Sequence, residues 1–307
     1  MSEEILAPEF FKPLERENAA ADQLRRRPLS FWQDVWIRLR RNRIATCGLY
    51  LLITLFLFAL VGPFLSSHSY HETNLVLKNH PPSLRFWFGT DDLGRDLFTR
   101  TCWGARISLF VGITAALVDM AIGVLWGGVA ALLGGKADQL LMRVADILYA
   151  IPYLLVVIML MVVVGTGLFP IIIALTLTGW ISMARIVRGQ LLQLKELEYI
   201  QAAIALGSGK ARILRKHLLP NAMGPIIIAM TFTIPTAIFT EAFLSFLGLG
   251  VQAPMASWGT MASDGLSALR YYPWRLFFPA CFISVTMLAF NLLGDGLRDA
   301  LDPRLRK

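Results

Sequence analysis

The sequence is poor in charge and in cysteine. Charged residues make up 16% of its 307 residues, well below the roughly 25% of an average globular protein. Its three cysteines, Cys47, Cys102 and Cys281, form no spaced pair, which argues against a disulfide framework or a thiolate metal site. Hydrophobic residues reach 56%, and the mean hydropathy is +0.58. This composition excludes an ordinary soluble domain and indicates a membrane protein.

The sequence also lacks a phosphate-binding loop. Gly134-Gly135-Lys136 is followed by Ala137 where Ser or Thr is required, and Ala130 stands where the first glycine belongs. Gly209-Lys210-Ala211 fails in the same way. No constellation of serine, cysteine or carboxylate residues typical of nucleophilic catalysis is present. We therefore expect a non-catalytic chain without a cofactor, and any ATP hydrolysis that it needs must occur on other chains.

A metal site is not expected either. His68 and His71 are three residues apart, Glu72 is adjacent, and His80 lies nearby in the same polar loop. That spacing in a polar loop is only a weak indication of metal ligands.

Six long apolar runs predict an all-α, polytopic membrane protein. Ile44 to Leu65 carries no charge and is longer than the about 20 residues that cross a bilayer. Five further spans are predicted at 107–133, 147–165, 168–187, 222–247 and 275–294. Prolines lie in or at the ends of these spans, where neighbouring helices tolerate the kinks that they cause: Pro152, Pro170, Pro235 and Pro279.

The placement of basic residues predicts the orientation. With the N-terminus inside, 22 of the 29 lysines and arginines lie in cytoplasmic segments. Residues 1–43, the stretch 198–221 and the C-terminus are then cytoplasmic, whereas the loop 66–106 is external. This asymmetry accounts for the net charge of +8 without a nucleic-acid partner. Within residues 1–43, apolar and aromatic residues from Phe31 to Leu39 recur at helical spacing, which predicts an amphipathic helix at the membrane surface.

The stretch 198–221 is a polar island between two apolar runs. Ile200, Ala203, Ile204 and Gly207 recur at helical spacing and predict a helix with an apolar, small-residue face. Gly207 is expected to end this helix in the left-handed conformation, and Ser208 to cap a second short helix that stops at Pro220. Such a helix–turn–helix outside the bilayer suits docking into a groove on a partner protein.

This stretch resembles the EAA loop of the permeases of ABC importers. The resemblance lies in Ala202-Ala203, three residues, Gly207, nine residues, His217, one residue and Leu219-Pro220. The usual isoleucine is His217 here, a variant that resembles the peptide-permease branch. Three further strings, in the same order along the chain, resemble the C-type subunits of oligopeptide and dipeptide importers: Phe88–Asp96, Leu244–Gly250 and Gly294–Pro303.

The resemblance implies the fold of a type I ABC importer permease with six transmembrane helices. It divides the chain into an N-terminal segment (1–43), a first span with its external loop (44–106), a five-helix core (107–295) and a tail (296–307). The loop that couples to the ATPase would comprise Glu198, Ala202, Ala203, Gly207, His217, Leu219 and Pro220. The implied partners, in a bacterial cell membrane, are a homologous B-type permease, two ATP-binding subunits and an extracytoplasmic peptide-binding protein.

Two acidic residues inside predicted spans are candidates for the translocation path. Glu241, near the external end of the fifth span, either lines the path or has a structural role, and Asp119 either lines the path or pairs across helices. In the external loop, Asp92, Arg95 and Asp96 are expected to hold the chain in place by charge pairing.

Three alternatives remain open at this stage. The solute could be nickel, glutathione or another small molecule instead of a peptide. A secondary transporter would require internal repeats or a chain of intramembrane acids, but there is no repeat, and only Asp119 and Glu241 are present. A membrane enzyme would require paired catalytic side chains within the spans, and none is evident.

Overall fold

The computed structural model describes residues 30–301, and the regular secondary structure in that range is helical apart from one isolated β-bridge between Thr90 and Asp96. The predicted all-α fold is confirmed. The helices are α1 (Phe31–Arg41), α2 (Arg43–Leu65), α3 (Leu97–Leu133), α4 (Gly135–Ala150), α5 (Tyr153–Val164), α6 (Leu168–Lys195), α7 (Glu198–Ala205), α8 (Lys210–Ile213), α9 (Leu219–Phe246), α10 (Trp258–Ser267) and α11 (Trp274–Leu301). Expectations for residues 1–29 and 302–307 lie outside the described part of the chain.

Within residues 30–301, five helices are long and apolar enough to cross a membrane: α2, α3, α6, the continuous run Lys210–Phe246 and α11. The predicted third span instead falls on α4 and α5, which meet at a bend of 79°. Ile151 is extended there, with φ −73° and ψ 129°, because the proline that follows disfavours the helical conformation. The third of the six predicted spans therefore consists of two helices joined at a bend and not of one straight helix.

The predicted external loop is shorter than the sequence indicated. Helix α3 begins at Leu97, ten residues before the predicted start, and Asp96 caps it by accepting a hydrogen bond from Thr99 N at 3.0 Å. Arg100 does not end the helix, because its guanidinium donates to Tyr70 O at 3.2 Å and pairs with Asp91 at 3.4 Å. A charge held by protein partners is compatible with a continuous helix.

Helix α3 lies at the centre of the bundle, against α6 and α9. Glycines allow the backbones to approach closely: a Cβ at Gly123 would lie 2.6 Å from Met183 Cβ, and one at Gly127 would overlap Ala184 O. Both partners lie on α6. This close packing fixes the positions of the residues that line the cavity described below.

The bundle has two faces, and a hydrogen bond to one end of α3 lies at each of them. On one face, which we call the α7 face, Lys195 Nζ at the end of α6 donates to Ala131 O near the end of α3, at 2.6 Å. On the opposite face, which we call the loop face, Trp258 Nε1 on α10 donates to Thr101 O near the start of α3, at 3.0 Å. Helix α3 therefore runs from one face to the other.

Helix α1 is amphipathic, as predicted, but its apolar side packs on protein. Val35 and Leu39 are buried against Ala45 and Ala300. Trp36 is half-exposed, and the guanidinium of Arg40 lies 4.7 Å from the centre of its ring. Helix α1 is therefore docked on the last turns of α11, because that contact buries its aliphatic residues.

Candidate coupling surface and membrane cavity

Helix α7 ends as predicted at Gly207, which has φ +79°. The N–H of Gly207 donates to Ile204 O at 2.9 Å, and that of Ser208 donates to Ala203 O at 3.1 Å. These two hydrogen bonds form a Schellman motif, which satisfies the last carbonyls of the helix and fixes the direction in which the chain leaves it. A Cβ at Gly207 would meet no atom within 4 Å, so only its backbone conformation requires glycine.

The second half of the stretch differs from the prediction. Ser208 does not cap a short helix: the N-cap residue of α8 is Gly209. Pro220 does not end it either, because a π-helical turn, Leu214–Leu218, joins α8 to α9 without a break. In that turn Leu219 N donates to Leu214 O, and the proline falls within the first residues of α9, where a missing N–H is tolerated.

One side of α7 is anchored in the bundle. Ile200 is fully buried and belongs to the same apolar cluster as Leu191 on α6, Ile213 on α8 and Leu218 in the π-helical turn. Asn221 Nδ2 donates both to His217 O at 2.6 Å and to the hydroxyl of Tyr199 at 3.2 Å, which ties α7 to the start of α9. The helix is therefore fixed to two long helices at once.

Helix α7 and the residues at its ends also carry exposed apolar side chains, which we call the α7 surface. It consists of Leu197, Ala202, Ile204, Ala205 and Leu206, of which Leu206 is 87% exposed. The predicted face is thus only partly buried: Ile200 is fully buried in the bundle, whereas Ile204, one turn later, is 44% exposed. Basic residues follow on α8 and the π-helical turn, all of them exposed: Lys210, Arg212, Arg215 and Lys216.

The seven residues predicted for the coupling loop do not all reach this surface. Glu198 is exposed in the first turn of α7, where a negative charge favours the helix dipole. Ala203, His217 and Leu219 are half-buried, and Pro220 is exposed at the start of α9. Leu197 and Leu206 are exposed apolar residues that the motif did not include, and only the structure places them at this surface.

Between α3, α5, α6 and α9 lies a cavity of about 530 Å³. Its polar lining consists of Asp119 on α3, Tyr153 on α5, Thr178 and Ser182 on α6, and Thr233, Thr236 and Thr240 on α9. This volume is within the range of about 300–1,000 Å³ that is typical of small-molecule sites.

Asp119 is 4% exposed, and its Oδ1 atom has no hydrogen-bond partner in the structure. The carboxylate lies against Gly179 of α6, where any side chain would overlap it. Asp119 forms none of the ion pairs between residues 30 and 301. The pairing of Asp119 across helices, one of the two alternatives from the sequence, is therefore absent from the described residues.

Glu241 lies elsewhere and does not border the cavity. Its side chain is fully buried, and Oε1 accepts hydrogen bonds from Ser245 at 2.8 Å and Ser257 at 2.6 Å. Ser108 donates to Oε2 at 3.4 Å and also accepts from Trp258 N at 3.2 Å. Glu241 therefore joins α3, α9 and the start of α10 within the chain, and its place on the translocation path stays a prediction.

On the loop face, ion pairs hold the chain as expected: Arg95 lies 4.0 Å from Asp92, and further partners join them. Asp91, which the sequence analysis did not select, pairs with Arg95 at 2.6 Å and with Arg100. The spacing of four residues between Asp91 and Arg95 was the sequence feature that could have indicated this pair. Asp92 pairs with Arg275 of α11 at 3.3 Å, a contact that depends on tertiary structure alone.

The histidines of this loop do not converge. His68 stacks on Phe86 with 4.7 Å between ring centres, and His80 Nδ1 lies 2.8 Å from Pro81 O. His71 Nδ1 lies 2.9 Å from Ser69 Oγ. Within residues 30–301, no group of three or more histidine, cysteine or acidic residues is arranged to hold a metal ion.

Two family models match the chain. Residues 123–307 match the inner membrane component of binding-protein-dependent transport systems, and residues 30–82 match the N-terminal transmembrane domain of oligopeptide transport permease C. The first model covers more than half of the chain and includes α7 and the cavity wall formed by α6 and α9.

Curated relatives match over almost the whole length. The chain is 58% identical to the oligopeptide transport system permease protein OppC of Bacillus subtilis, over 97% of this chain and 98% of that protein. It is 59% identical to the dipeptide transport system permease protein DppC of the same organism, over 97% and 94%. The OppC protein of Escherichia coli is 42% identical, over 90% and 92%.

Among solved structures, the inward-facing MetNI methionine ABC transporter is similar in fold. One of its chains superposes with a TM-score of 0.53 at 21% identity, covering 64% of this chain and 94% of that one. The likeness supports the expected type I ABC importer permease fold. The chain therefore belongs to the family of inner membrane components of binding-protein-dependent transport systems.

Proposed function

We propose that the chain is a permease subunit of an ATP-driven importer of oligopeptides or dipeptides. It forms half of the translocation path and receives the movement of the ATPase through α7. The solute class is supported by the 58% and 59% identity to permeases named for oligopeptide and dipeptide transport, both over 97% of the chain.

The observation that carries the coupling role is the α7 surface. An exposed apolar surface on a short helix is unfavourable in water unless another protein covers it. The Schellman turn at Gly207 and the burial of Ile200 make the helix rigid relative to α6 and α9, so a force applied to it is passed to both. A rigid lever of this kind is what alternating access requires.

The cavity beside Asp119 is the candidate for this chain's share of the path. Helix α5, which forms one wall, exposes apolar side chains that a second permease subunit could cover: Leu154, Leu155, Ile158, Met159, Val162 and Val163. A homologous B-type permease would complete the path at this helix. The bend of 79° between α4 and α5 offers a position at which the wall can move.

The remaining partners follow from the same proposal. The α7 face is cytoplasmic and meets two ATP-binding subunits, and the loop face meets an extracytoplasmic peptide-binding protein. The asymmetry of 22 of 29 basic residues supports this orientation in a bacterial cell membrane. ATP is hydrolysed on the partner chains.

The coupling role is tested by Gly207→Val in the assembled transporter. Because the backbone at Gly207 has φ +79°, a β-branched residue is expected to strain the turn or force it to rearrange, which should destabilise it by about 1–3 kcal/mol. Membrane insertion should persist, since the substitution lies outside the spans. Co-purification of the ATP-binding subunits and peptide uptake into proteoliposomes should both fall, and Gly207→Ala should have the milder effect.

Gly209→Ala is the matched control, two residues away in the same turn. Gly209 has φ −65° and no atom within 4 Å of an added Cβ, so uptake should be unchanged. Full ATP-dependent uptake by Gly207→Val would disprove the coupling role. Uptake of nickel or glutathione but not of peptides, with each matching binding protein present, would disprove the solute class.

A further inference from the structure

The unpartnered carboxylate of Asp119 is unusual for its position. An ionisable group in the middle of a membrane span is costly unless a partner or water compensates its charge. Gly179 supplies space for this carboxylate by having no side chain, yet no described residue supplies a cation. The arrangement places a carboxyl group at the cavity wall without a cation beside it.

The hydroxyl groups on the opposite wall are oriented to accept hydrogen bonds. Thr233 Oγ1 donates to Ala229 O at 3.0 Å, Thr236 Oγ1 to Phe232 O at 2.9 Å, and Thr240 Oγ1 to Thr236 O at 2.8 Å. Each hydroxyl proton is therefore used within α9, and the oxygen lone pairs remain available. Such a wall favours a ligand that carries N–H donors over one that carries a carboxylate.

A further polar group at the cavity is Tyr153 on α5, whose hydroxyl is buried and also has no partner in the structure. Buried polar groups in folded proteins are nearly always hydrogen-bonded, so an unpaired carboxylate oxygen and an unpaired hydroxyl beside one cavity indicate that a ligand completes the site. A ligand with a positive charge and several donors satisfies both groups.

We propose that Asp119 binds the positively charged α-amino group of a peptide as the peptide passes through this cavity. The ammonium group would donate to the Asp119 carboxylate and to the threonine oxygens of α9. Charge-assisted hydrogen bonds of this kind are stronger than neutral ones. They would orient the peptide in the cavity with its amino end at Asp119. The inference rests on the proposed function, because it assumes that the cavity lies on the path.

The test uses the assembled transporter in lipid nanodiscs without its binding protein, so that capture by that protein does not select the peptide. The probes are alanyl-photoleucyl-alanine, which has a free amino group, and its N-acetylated form. After illumination, labelling of α3, α6 and α9 is measured by mass spectrometry. For the wild-type protein we expect labelling by the free-amine peptide to exceed that by the acetylated one about tenfold, which corresponds to one charge-assisted contact.

Asp119→Asn should abolish this preference, and Asp119→Glu should retain part of it. Asp146→Asn is the matched control, because Asp146 is an exposed acid that pairs with Arg185 at 2.8 Å and does not line the cavity. It should leave the preference at the wild-type level. Thermal unfolding of each variant in the same nanodiscs shows whether it is folded.

Two results would contradict the inference in distinguishable ways. A folded Asp119→Asn variant that keeps the tenfold preference would show that another group binds the amine. The proposed function would then stand. Wild-type protein in which neither peptide labels the cavity walls would show that the cavity is not on the path. In that case both this inference and the proposed path would fall.

Discussion

The two acids buried within the predicted spans, Asp119 and Glu241, differ in their hydrogen-bond partners and in what lies beside them. Glu241 is 0% exposed and accepts hydrogen bonds from three serines. Asp119 is 4% exposed, lacks a partner for one oxygen and borders a cavity of about 530 Å³. One carboxyl group connects segments of the chain, and the other is left open beside a space large enough for a ligand.

The difference shows how to separate a stabilising acid from a functional one. Burial alone does not distinguish them, since both are more than nine-tenths buried. The partners do, because a satisfied polar cluster rigidifies the fold, whereas an unpaired polar group lowers stability and persists only where function needs it. Each prediction below changes one member of this comparison.

The largest effect is expected at Glu241. Glu241→Ala removes the acceptor of three buried serine hydroxyls and leaves a cavity, so it should lower the free energy of unfolding by about 2–5 kcal/mol. Glu241→Gln keeps the shape and most acceptors and should cost about 1 kcal/mol. Thermal unfolding of the purified protein in detergent measures both. If Glu241→Ala unfolds at the wild-type temperature, the serine cluster does not stabilise the bundle.

A smaller effect is expected at Gly179. The Cβ of Gly179→Ala overlaps the Asp119 carboxylate, and relieving that overlap should lower the free energy of unfolding by about 1–3 kcal/mol and reduce peptide uptake. Gly189→Ala is the control on the same helix, with no atom within 4 Å of the added Cβ. Alanine favours helix more than glycine, so this control should be neutral or stabilise by about 0.5–1 kcal/mol. Equal behaviour of the two variants would contradict the assigned contact.

The smallest change in stability is expected at Asp119 itself. Asp119→Asn removes a buried charge that has no ionic partner and leaves a polar group of the same shape, so the free energy of unfolding should change by less than about 1 kcal/mol. Peptide uptake by the assembled transporter should nevertheless fall. A strongly destabilised Asp119→Asn variant would place Asp119 with Glu241 among the stabilising acids.

Part of the stretch 198–221 was predictable because the residues that determine its turns are close together in sequence. A glycine at the end of an apolar helical pattern leads to a left-handed turn, and Gly207 adopts it with φ +79°. The end of the second helix was mispredicted because Pro220 falls in the first residues of α9, where proline is tolerated, and a π-helical turn carries the chain through. Proline is typical both of the residues that follow a helix and of the first turn of a helix, so Pro220 alone does not distinguish the two.

The all-α class, the spans other than the bent third one, and the position of α7 were predictable from the sequence. These features depend on hydropathy, periodicity and turn chemistry within short windows. The tertiary contacts determine that Ile200 is buried while Ile204 stays partly exposed, that Glu241 accepts hydrogen bonds from three serines, and that Asp119 accepts none from them. Those contacts join residues far apart in sequence, such as Glu241 with Ser108 and Asp119 with Gly179. Only the packing of α3 against α6 and α9 brings them together, because the register of that packing is set by side-chain volumes along whole helices.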